Sequence, residues 1–122
     1  MLVNLNAVEL EFDFYDADQG PAYVAGSEKI VKVCTEMDGQ KNASVEEIRA
    51  GYTAAANATA EMLDAMFGPD TGEKVMQGKK SLKLCVDILC ALRESVEQQA
   101  AALAATQAKY TPNRVARRSA KS

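Results

Sequence analysis

Val8-Glu9-Leu10-Glu11-Phe12-Asp13-Phe14 alternates without a break: apolar side chains at the even positions, carboxylates at the odd ones. Side chains two apart share a face only in an extended chain, so this stretch is a strand with Val8, Leu10, Phe12 and Phe14 on one side. Leu2-Val3-Asn4-Leu5 upstream has the same period, and Asn6-Ala7 lies between the two at the length of a tight hairpin turn, although it is not a favoured turn pair. A lone hairpin is marginal in water. Its apolar face must therefore rest on other elements, and the chain downstream of it has the pattern of helices.

After Tyr15, Asp16 or Asp18 can cap a helix, and Pro21 is tolerable in a first turn. Tyr23, Ile30, Cys34 and Met37 recur at helical spacing until Asp38-Gly39 ends the run. Ser44-Val45-Glu46-Glu47 has the form of a capping box. The buried stripe of its helix reads Val45, Ile48, Tyr52, Ala56, Met62, Leu63 and Met66, and Gly68-Pro69 stops it. Asp70 to Gln77 forms one or two turns closed by Gly78. Ser81 caps a last helix in which Leu82, Cys85, Leu89, Leu92, Val96 and Leu103 advance by threes and fours, with Gln99 at the one missing seam position.

Beyond Val96 the sequence becomes EQQAAALAATQAK, favourable to helix but poor in side chains to bury, so the distal half stands off the core or waits for a partner. The expected architecture is mainly α (α+β): an N-terminal two-stranded hairpin packed on a bundle of three to four helices, the longest at 45–66 and 82–104. Self-association through the 82–104 helix is one use for its seam.

With 122 residues, 48% hydrophobic and 25% charged, the chain has the size and balance of one small globular domain. No apolar run approaches 18 residues and the N-terminus lacks the pattern of a signal peptide, so a cytoplasmic location and no membrane are expected. Cys34, Cys85 and Cys90 include no CxxC pair. On one helix, Cys85 and Cys90 point about 140° apart, too far for one metal, and all three read as small core residues.

The chain has no histidine, which removes the commonest general base and every Ser-His or Cys-His dyad. No phosphate-loop, dinucleotide or zincin motif is present. Counting an EF-hand from Asp13 puts Asp18 where glycine and Val24 where glutamate should stand, so the acids at 13, 16 and 18 read as strand-end and cap residues. A protein without enzymatic activity, cofactor, metal or small-molecule substrate is expected.

Charge is unevenly placed. Residues 1–108 hold all 17 acids against 9 Lys and Arg, a net of −8, while residues 109–122 add +5 and bring the whole to −3. The chain therefore divides into a body, 1–108, and a basic, flexible arm, 109–122. Pro112 ends regular helix and bends the arm, Tyr110 and Asn113 set its shape, and Arg114, Arg117 and Arg118 supply charge for a partner. Nucleic acid is a poor fit for that partner, because the acidic body repels phosphates.

Three segments in this order, Val8–Asp18 (VELEFDFYDAD), Met66–Asp87 (MFGPDTGEKVMQGKKSLKLCVD) and Tyr110–Arg118 (YTPNRVARR), give the chain a specific resemblance. It resembles a family of short phage and prophage proteins of Gram-positive bacteria with an FDxxDAD-like turn, an FG…GK-L…C-x-D segment and a YxPNRxxR tail. Gly20-Pro21 departs from that pattern and is expected to delay the first helix. In size, helical content and gene setting such proteins look like phage tail assembly chaperones. The resemblance implies a helper in the host cytoplasm that binds tape-measure and tail-tube proteins, with Met62, Met66 and Met76 suited to an adaptable apolar surface. A different class is also open. The acids at 9, 11, 13, 16 and 18 form a face that could mimic nucleic acid and inhibit a host defence nuclease.

Overall fold

In the computed structural model the backbone is described for residues 1–39 and 42–121, and side chains for 1–39 and 42–110. The first four residues of the alternating stretch form a strand, which ends at Glu11, short of the Phe14 that the alternation predicts. β1 (Leu2–Leu5) and β2 (Val8–Glu11) pair antiparallel, with Val3 opposite Leu10 and Leu5 opposite Val8. Asn6 and Ala7 turn the chain with φ of 52° and 67°, the left-handed values a two-residue hairpin needs. Ala7 adopts this at a steric cost that glycine would avoid. Side-chain bonds hold the turn: Asn4 Oδ1 accepts from the Ala7 N–H, and Asn6 Nδ2 donates to the Val75 carbonyl at 2.6 Å.

Val3, Leu5 and Phe12 are buried, while Glu9 and Glu11 are exposed, as the alternation requires. The rest of the body is built from four helices: α1 (Gln19–Asp38), α2 (Val45–Phe67), α3 (Thr71–Met76) and α4 (Leu82–Lys121). The hairpin rests on them through aromatic rings, with Phe12 against Tyr23 at 5.8 Å and Phe67 at 6.2 Å, and Phe14 against Tyr23 at 6.0 Å.

The first helix is not delayed by Gly20-Pro21. Pro21 sits in the first turn, where its missing N–H costs nothing. Gly20 is needed there, because a Cβ would run into the Phe14 carbonyl oxygen. Of the two candidate caps, Asp16 is the one used: its Oδ2 accepts from the Asp18 and Gln19 N–H groups at 2.9 and 3.0 Å. These bonds favour the anion and hold the Asp16 carboxyl below its ordinary value, the Gln19 bond most.

At α2 the capping box is complete, with Ser44 Oγ accepting from the Glu47 N–H and Glu47 reaching back to the Ser44 N–H. α3 lies so close on α2 that a Cβ at Gly72 would overlap the backbone of Ala60, and the Gly72 N–H is taken by Asp64 Oδ1 at 2.7 Å. Ser81 Oγ accepts from the Leu84 N–H at the start of α4.

One core joins these elements: Val3, Leu5 and Phe12 from the hairpin, Ile30 from α1, Ala55 to Met66 from α2, Val75 and Met76 from α3, and Cys85, Ile88 and Leu92 from α4. Met62, Met66 and Met76 are all inside it, so they pack the core and are not available to partners. Gln99, the gap in the α4 seam, connects it to the rest of the body. Its Oε1 accepts from the Phe14 N–H at 2.8 Å and its Nε2 donates to Ser95 Oγ.

Beyond Gln99 every residue from Ala100 to Tyr110 is exposed, so the distal half of α4 leaves the body as its composition foretold. The helix also continues past residue 104 and through Pro112 to Lys121, beyond the end that the sequence pattern predicts. Pro112 removes one intrahelical bond and is flanked by Thr111 and Asn113, which favour helix only weakly; the good helix formers Gln107–Lys109, Arg114 and Ala116–Arg118 lie within a turn or so on either side.

Candidate functional site

The apolar stripe of α2 runs Val45, Ile48, Tyr52, then Ala55 and Ala56, Thr59, Met62 and Leu63, Met66, with steps of three and four throughout. From Ala55 onward it is buried. Before that it is not: Val45 is 82% exposed, Ile48 40% and Tyr52 37%. The expectation that these three lie in the core is therefore corrected, and the reason is length. α2 rises about 34 Å over its 23 residues, and α4 joins it only part-way along. Leu82 lines one hollow together with Tyr52, and Cys85, one turn on, is buried, as is Thr59 on α2.

The uncovered end is a cleft open to solvent. Ile48 and Tyr52 line both of its two adjoining hollows, of about 520 and 560 Å³. On one side the wall is Met37, Asp38, Glu47 and Leu82; on the other it is Val45, Arg49, Thr53 and Lys80. One rim is thus acidic and the other basic. Val86, 42% exposed, carries the apolar surface one turn along α4 from Leu82. No ion pair within 4 Å takes up Asp38 or Arg49 among the described residues. Lys80 Nζ is held to Asn57 Oδ1 at 3.2 Å.

The residues expected to dock a partner lie elsewhere. Tyr110 is an exposed position of α4, 28 residues and about 42 Å of helix from Leu82. The side chains of Asn113, Arg114, Arg117 and Arg118 lie outside the described residues.

The acidic strand and turn are engaged locally. Glu11 pairs with the N-terminal amine at 2.6 Å, Asp13 Oδ1 accepts from the Tyr15 N–H, and Asp16 caps α1. Among the described residues no group of three His, Cys, Asp or Glu side chains could hold a metal. The three thiols are free and differ in setting, with Cys85 buried, Cys34 half-buried and Cys90 exposed, so Cys90 is not the core residue expected of it. Burial pushes the Cys85 thiol upward. No helix among the described residues is long and apolar enough to cross a membrane.

Sequence reasoning names the right α2 residues but assigns them to the interior. A signal is there to be used, since Arg49 and Thr53 flank the stripe where a deeply packed helix would carry smaller or apolar neighbours.

The architecture defines a small, mainly helical protein with an N-terminal hairpin and an open apolar cleft at one end of α2. The chain belongs to DUF6673, a family of unknown function, which it matches over residues 6–121. No curated protein and no solved structure matches it.

Proposed function

We propose that the protein is a non-enzymatic assembly chaperone of phage tails, holding apolar helical segments of the tape-measure protein while tube subunits assemble. The observation that carries this reading is the bare end of the α2 stripe. A protein with a complete core elsewhere leaves Val45, Ile48 and Tyr52 in water, and exposed apolar surface rimmed by charge is the usual form of a protein-binding site. The sequence resemblance supplies the identity of the partner, and the projecting half of α4 offers a second surface on the same molecule.

The second reading, a nuclease inhibitor, would use the acids at 9, 11, 13, 16 and 18, which are exposed, although Glu11, Asp13 and Asp16 also hold the hairpin and the α1 cap.

Co-expression with fragments of a tape-measure protein from a phage that encodes this chain tests the reading. The expected result is that fragments insoluble alone become soluble and co-purify. Fragments that stay insoluble, with no tail protein retained, would overturn it.

A further inference from the structure

The cleft on α2 has a shape and a charge pattern that specify more than generic stickiness. Val45, Ile48 and Tyr52 succeed one another at i, i+3 and i+7, a span of about 10 Å, which is the spacing at which one helix offers anchors to another. The same stripe, from Ala55 on, is already covered by a helix, since Cys85, Ile88 and Leu92 of α4 lie in the core with it. Leu82 opens α4 at the edge of the cleft, so the uncovered residues lie behind the first turn of α4, where a helix in line with it would fit.

Among the described residues no further helix of this chain reaches the cleft. The connection from Gln77 to Ser81 is already used to reach α4, and the far end of α4 lies tens of ångströms away. The rims add direction, because Asp38 and Glu47 border one side and Arg49 and Lys80 the other. A helix seated between them meets negative charge along one flank and positive charge along the opposite one.

We propose that this cleft seats an amphipathic helix of a protein partner, in line with α4, with acidic side chains over Arg49 and Lys80 and basic ones over Asp38 and Glu47. The inference rests on the chaperone reading for the partner's identity, but not for its chemistry. It identifies the kind of segment the protein selects: helices of mixed charge with opposite signs on their two flanks, and not apolar segments at large. Specificity of this sort comes from penalising the wrong flank as much as rewarding the right one.

Three synthetic helical peptides with one common apolar face test it by fluorescence anisotropy against the full-length protein. The first has one acidic and one basic flank, the second two acidic flanks, and the third two basic flanks. The mixed peptide is expected to bind at least about tenfold tighter than either of the others, the scale of one well-placed contact. Reversing the basic rim with Arg49→Glu and Lys80→Glu should transfer the preference to the doubly basic peptide. Both positions are exposed, so the circular dichroism spectrum is expected to stay that of the wild type. Ile48→Glu should weaken all three peptides.

Equal binding of the three peptides, or no change with the rim reversal, would overturn the proposal, as would a concentration-dependent dimer that occupies the cleft. The two levels separate cleanly. If the mixed peptide binds as expected but tape-measure fragments are not retained, the cleft inference stands and the chaperone reading falls. Tape-measure fragments retained equally by Ile48→Glu would leave that reading standing and defeat this one.

Discussion

From Ala55 to Met66 one side of α2 shares a core with the hairpin, α3 and α4; from Val45 to Tyr52 the same side of the same helix lies open. Both halves have the same period and the same kind of apolar side chain. What differs is the neighbour. Over the second half the rings of Phe12 and Phe67, the Gly72 contact and the α4 seam all converge, whereas the first half is bordered by the end of α1 on one flank and by Lys80 and Leu82 at the start of α4, and is not covered. Periodicity records which side of a helix avoids water in the functioning state, and that state includes whatever the protein binds. A stripe longer than its cover is therefore a reason to look for a partner.

The sharpest way to break this comparison is to truncate matched residues in the two halves. Leu63→Ala removes a fully buried side chain and should lower the unfolding free energy by about 2–5 kcal/mol, whereas Ile48→Ala should cost under about 1 kcal/mol. Denaturant titration of both variants measures the difference, and equal losses would show that the open half is part of the core in solution.

Gly72→Ala probes the closest contact of the buried half. Its new methyl group must displace α3 from the Ala60 backbone, so a loss of about 1–3 kcal/mol is expected by thermal unfolding. Ser44→Ala probes the open half, whose first turn has little tertiary support and depends on its own cap. A loss of about 1 kcal/mol is expected, with amide exchange quickened in the first turn of α2 and unaltered near Leu63.

The smallest effect concerns pH. Asp16 caps α1 with an ionisable group, whereas the α2 cap is the neutral Ser44 hydroxyl. The lowered value at Asp16 means that its contribution is present above the ordinary 3.8 and is lost as pH falls through the lowered value. Asp16→Asn should therefore flatten the acid limb of the stability curve by removing a small contribution above that range and leaving stability below it nearly unchanged, as denaturant titrations across pH would show.

Much of this is legible in the sequence, and the reasons are local. The alternation that begins at Val8, the capping box at Ser44, the Gly68-Pro69 stop and the Ser81 cap each depend on residues within a few positions of one another, and each lies where those residues put it, except that the strand ends at Glu11 and not at Phe14. The same logic narrows the α1 cap to two candidates. Three features depend on distant partners and cannot be read so. Gln99 looks like a gap in a seam because its partner, the Phe14 N–H, is 85 residues away. The Asn6-Ala7 turn is an unfavoured pair held by Val75 of α3. The openness of Val45, Ile48 and Tyr52 depends on where α4 begins relative to α2, which no period encodes. The end of α4 is misplaced for another reason: Pro112 reads as a stop, whereas the helix runs through it to Lys121.

The central claim is that the open half of α2 exists for a partner and not for the fold. Wild type and Ile48→Glu, each co-expressed with the same tape-measure fragments, test it most directly when retention and melting temperature are measured together. The account predicts that the variant loses the fragments while its melting temperature stays within about 4 °C of wild type, the shift expected of a change below about 1 kcal/mol. Undiminished retention, or a collapse of the melting temperature, would contradict it.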